Sequence, residues 1–133
     1  MRHIAWTLVL AAALGCSKKE PAEGTGQAGQ PAAAPVASVA ATEAKHLYAT
    51  VCANCHGESG RGDGRTGLQL NPRPRDYTDK AWQATVSDAE IRKTILEGGL
   101  AVGKSPIMPA QPQLADKPDV LDEVVKLVRS FAR

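Results

Sequence analysis

The chain has 133 residues and a formal net charge of +2, and 43% of its residues are hydrophobic while only 4% are aromatic. That length allows at most one ordinary domain, and the small basic excess is spread too thinly to mark a nucleic-acid surface, so no polyanion partner is expected. Beyond residue 41 the only Phe, Tyr and Trp side chains are Tyr48, Tyr77, Trp82 and Phe131, so something other than aromatic bulk is expected to complete the core.

The first fifteen residues read as an export signal: Met1-Arg2-His3 is a short basic start, and Ile4 to Leu14 is an apolar or small run too short to span a bilayer. The run ends in Ala13-Leu14-Gly15-Cys16, which resembles a bacterial lipobox, with alanine where leucine is commoner. That resemblance implies cleavage before Cys16 and acylation of its thiol; the alternative is an ordinary cleaved signal peptide. Residues 16–41 are then the lipidated cysteine and a tether of Ala, Gly, Pro, Gln and Ser, with too little large apolar surface to offset the entropy of ordering.

The folded domain is expected over 42–133. Thr42 serves as an N-cap, and Leu47, Tyr48 and Val51 share one face of a helix that runs into Cys52 and Cys55. Gly57, Gly60, Gly62, Gly64 and Gly67 make a loop, and Pro72 and Pro74 stiffen the segment after it. Ser87-Asp88-Ala89-Glu90 is a capping box that opens a second helix carrying Ile91 and Ile95, and Gly98-Gly99 is its stop. Pro106 and Pro109 bracket Met108 in an irregular loop. Pro118 opens a last helix whose stripe is Leu121, Val124, Val125, Val128 and Phe131. No segment reads as a strand, so the fold is expected to be all-α, with three main helices and loops too long to stand unless something packs against them.

Cys52-Ala53-Asn54-Cys55-His56 fits C-x-x-C-H, the attachment signature of c-type haem. On a helix, residues three apart share a face, so two sulfurs can reach one side of a porphyrin while the next residue, His56, is held beneath the iron. A thioredoxin-like disulfide would want a βαβ setting, and a zinc site would want a fourth ligand. For the second axial ligand the domain offers Met108 and His46; Met108 is favoured, because His46 lies six residues before Cys52 on the same helix and its ring does not easily cross the haem. The run Gly62-Asp63-Gly64-Arg65-Thr66-Gly67 fits G-x-G-x-x-G, but no strand precedes it, so the glycines are expected to let backbone pass close to a flat cofactor.

With "YATVCANCHGESGRGDG", "LNPRPRDYTD", Trp82, "EIRKTILEGG" and "IMPA" in this order, the chain resembles a class I, monohaem cytochrome c over its whole folded part. The resemblance implies a cytochrome c fold around one haem c bonded through Cys52 and Cys55, with His56 and Met108 on the iron. It also implies that a proline carbonyl, of Pro72 or Pro74, accepts the Nδ1–H of His56, and that Arg73, Arg75, Tyr77 and Trp82 bind the haem propionates. The expected function is one-electron transfer between redox proteins by a monomer at the periplasmic side of the bacterial envelope, anchored through Cys16, the outer membrane being slightly favoured. It would be soluble in the periplasm if Cys16 is not acylated. Two alternatives remain open: a relay subunit in a larger oxidoreductase, and a haem enzyme that opens the Met108 position to a small ligand such as peroxide.

Overall fold

The computed structural model describes residues 35–133; the export signal, Cys16 and the tether up to residue 34 lie outside the described residues. The first helix, α1, spans Val36–Leu47. It starts six residues before the expected cap at Thr42, so residues 36–41 belong to the folded domain and not to the tether. Short side chains hid this. Ala40 and Ala44 are 5% and 1% exposed, one turn apart on the face that packs on the last helix, where small residues let two helices approach closely. Thr42 is not a cap but a mid-helix residue whose hydroxyl donates to the Ser38 carbonyl at 2.8 Å.

The helix then widens into a π-helical turn, Tyr48–Cys52, and tightens again into α2, Ala53–His56. Gly57, at φ 79°, ends it. A 3₁₀ turn at Gly67–Gln69 and an extended stretch through Pro72 and Pro74 lead to α3, Lys80–Thr85, an element the apolar pattern did not reveal. Its start is chemically plain in hindsight: the Asp79 carboxylate accepts from the N–H groups of Ala81 and Trp82.

Helix α4, Asp88–Ala101, begins where expected, with the Ser87 hydroxyl accepting from the Glu90 N–H at 3.1 Å. The Glu90 carboxylate does not complete a reciprocal box; it takes the Lys104 ammonium at 2.6 Å. Helical geometry breaks at Gly98 (φ 81°, ψ 170°), as the Gly98-Gly99 stop predicts. A 3₁₀ turn, Pro112–Asp116, precedes α5, Pro118–Ser130, whose buried stripe is Val120, Leu121, Val124, Val125 and Val128. No strand occurs among the described residues, and the rod α1–π turn–α2, α4 and α5 are the three main helices expected.

Helix α5 is the central packing element, meeting both α1 and α4. Its C-terminal end is also held by polar bonds. Arg129 donates to the carbonyls of Gln83 and Val86, at 2.8 and 2.7 Å, and to the Gln83 side-chain oxygen at 2.7 Å, and it pairs with Asp88. The α3–α4 connection is thereby fixed to the last helix.

Candidate cofactor site

The apolar faces of α4 and α5 do not close on one another. Ile91, Ile95, Val124 and Val128 border a cavity of about 610 Å³ that the π turn, α2, the 70–77 segment and the 104–111 loop complete. Cys52, Cys55, His56 and Met108 all line it, so the two thiols and imidazole of residues 52–56 and a thioether from far along the sequence meet at one mainly apolar chamber.

The glycine loop explains how the C-x-x-C-H segment is presented, and it corrects the expected role of the glycines. Its N–H groups turn back onto the carbonyls at the end of α2: Gly62 to His56 at 2.8 Å, Gly64 to Cys55 at 3.2 Å and Thr66 to Asn54 at 3.0 Å. These are the acceptors a helix terminus leaves without intrahelical partners. The backbones approach so closely that a Cβ on Gly67 would lie 2.1 Å from the Cys55 carbonyl oxygen. None of the five loop glycines lines the cavity. Close approach is the role of Gly64 and Gly67, but to the helix end rather than to a flat ligand.

His56 is buried, and its two ring nitrogens have different partners. Nδ1 lies 3.3 Å from the Arg75 carbonyl, which can only accept, so Nδ1 carries the proton. Nε2 is then the lone-pair nitrogen, and the Tyr77 hydroxyl donates to it at 3.1 Å. Burial lowers the imidazole pKa, partly opposed by the Arg75 carbonyl, and so favours the neutral ring. A neutral imidazole protonated at Nδ1 is the form that binds a metal through Nε2, and here the Tyr77 hydroxyl holds that lone pair and would have to give it up. The acceptor differs from expectation: it is the carbonyl of Arg75, not that of Pro72 or Pro74. The Pro74 carbonyl is turned to the glycine loop, where it would lie 2.4 Å from a Cβ on Gly62.

Cys52 and Cys55 are free thiols, and burial, reinforced by the neighbouring Cys55, pushes Cys52 up to about 11. Met108 sits on a loop folded back against the broken end of α4. The Gly99 N–H donates to the Met108 carbonyl at 3.1 Å, the Lys104 N–H to the Gly99 carbonyl at 2.8 Å and the Gln111 N–H to the Ile95 carbonyl at 2.8 Å. The Gly98-Gly99 pair is needed there because a Cβ on Gly99 would lie 2.1 Å from the Ser105 carbonyl oxygen. His46, the other sequence candidate for an axial ligand, is exposed on α1 and does not border the cavity.

Pro72, Arg73, Pro74, Arg75, Tyr77 and Trp82 all border the cavity. Tyr77 stacks on His56 with centroids 4.5 Å apart, Trp82 lies 5.7 Å from Tyr77, and the Arg75 guanidinium sits 5.5 Å over the indole. Sequence reasoning missed the Glu90–Lys104 pair beside the Met108 loop and the Gln83–Arg129 bonds. A capping-box glutamate carries no sign that a lysine fourteen positions on will claim it.

A soft donor set, the correct imidazole tautomer and an apolar chamber bordered by arginines together fit a covalently held haem with its carboxylates at a basic edge. Compared with known protein families, residues 41–131 match cytochrome c. No curated protein matches the chain at a significant level. With that match spanning the folded domain, and Cys52, Cys55 and His56 in the family's haem c attachment motif, the chain belongs to the cytochrome c family of haem-based electron carriers.

Proposed function

We propose that this protein is a class I, His/Met-ligated cytochrome that carries one electron at a time between redox proteins outside the cytoplasm. The observation that supports it best is the meeting of the Nδ1–H tautomer of His56 and the thioether of Met108 at the cavity that also holds both thiols. Bound there, haem c supplies a reversible ferric/ferrous couple.

The chain's own residues do the rest. Cys52 and Cys55 would hold the macrocycle through thioether bonds, and His56 and Met108 would be the iron's protein donors. The Arg75 carbonyl orients the imidazole and raises its basicity, while the Gly99 N–H fixes the methionine loop. A thioether ligand favours the ferrous state and raises the potential. Ile91, Ile95, Val124 and Val128 would keep water from the centre, and Arg73, Arg75 and Trp82, with Tyr77 once its hydroxyl leaves His56, would take the propionates. Acylation of Cys16 anchors the monomer to the envelope, and the residues before α1 act as its leash. The exposed position of His46 disfavours peroxide chemistry, since it leaves the cavity without a second imidazole as acid-base group.

Visible spectroscopy of the protein exported to a bacterial periplasm tests this reading. A low-spin spectrum with the ferric sulfur-to-iron charge-transfer band is expected. A high-spin ferric spectrum would overturn it.

A further inference from the structure

The segment that carries the carbonyl facing His56 is itself held from the far side of the molecule. Arg75 and Tyr77 lie on one short segment that passes beside the imidazole and turns at Tyr77. Arg75 supplies the carbonyl facing Nδ1, and the Tyr77 N–H donates to the Gly60 carbonyl at 2.7 Å. The Tyr77 carbonyl is taken by the Gln83 side-chain amide at 2.8 Å, and the same nitrogen donates to the Val128 carbonyl on α5 at 3.0 Å. The Gln83 oxygen accepts from Arg129 at 2.7 Å, and Arg129 is further fixed by the carbonyls of Gln83 and Val86 and by Asp88. The amide of Gln83 thus has both ends occupied, which sets its orientation and leaves the Tyr77 carbonyl one direction in which to point.

We infer that Gln83, oriented by Arg129, is a positioning residue for the axial histidine: it fixes the 75–77 segment and so sets the strength of the His56 Nδ1–H bond to the Arg75 carbonyl. This rests on His56 being the iron ligand. A stronger bond at Nδ1 gives the imidazole more anionic character and stabilises ferric iron, so the last helix reaches the redox centre through two side chains that do not touch it.

Two variants test it in the haem-loaded protein. Gln83→Glu keeps an oxygen for Arg129 but has no proton for the carbonyls of Tyr77 and Val128; Gln83→Met removes both functions and carries the greater folding risk. The readouts are solvent exchange of the His56 Nδ1–H by NMR and the reduction potential. Gln83→Glu is expected to speed that exchange several-fold with the parent's low-spin spectrum retained, and Gln83→Met, which adds no charge, is expected to raise the potential. Unchanged exchange in Gln83→Glu, or an unchanged potential in a folded Gln83→Met, would overturn the inference and leave Gln83 as a structural residue. A parent protein without a low-spin, methionine-ligated spectrum would instead overturn the functional reading, and exchange at Nδ1 would still report on Gln83.

Discussion

At the scale of single residues, two thiols, an imidazole and a thioether border one mainly apolar cavity. Cys52, Cys55, His56 and Met108 were legible because their chemistry is rare and their spacing has a physical reason, and all four border one cavity. The carbonyl beside His56 was not legible, because every residue carries one, and only the path of the chain decides that Arg75 and not Pro72 or Pro74 presents it. Removing the thioether isolates Met108: Met108→Ala is expected to lose the ferric charge-transfer band while mass spectrometry still finds the haem bonded to the chain. At Ser87 the consequence is for stability alone. Losing the hydroxyl that caps α4 in Ser87→Ala should cost about 1 kcal/mol in denaturant unfolding, with the visible spectrum unchanged.

Among the elements, α4 and α5 follow the sequence because each carries both a cap or proline and an apolar stripe. Helix α1 departs from it because its buried face is alanine, which hydrophobic periodicity does not register. The π turn is invisible for a related reason: one extra residue per turn leaves no mark in composition, yet it lies immediately before α2 and includes Cys52. The glycine loop gives the sharpest test at this scale. Gly67→Ala forces a Cβ to within 2.1 Å of the Cys55 carbonyl and is expected to cost about 2 to 3 kcal/mol or to block haem attachment, read by thermal unfolding and by haem stain. Gly103→Ala is the contrast: nothing lies within 4 Å, so only the positive φ of 69° is strained, at about 1 kcal/mol.

For the molecule as a whole, α4 and α5 turn apolar side chains toward the cavity, so the domain's core is completed by what the cavity binds. A Cys52→Ala, Cys55→Ala protein is therefore expected to lose most of its helical signal in far-UV circular dichroism and its cooperative melt; native helix content without haem would refute this. By itself the sequence determined the all-α class, the covalent haem motif and the candidate donors, because these depend on local periodicity and on side-chain chemistry. Only the tertiary structure decided that the glycine loop closes on the end of α2, that Arg75 faces His56, and that Arg129 and Gln83 tie the last helix to the Tyr77 carbonyl two residues on. Those contacts join backbone groups far apart in sequence. Every residue supplies such groups, so no pattern of side chains foretells which of them will meet.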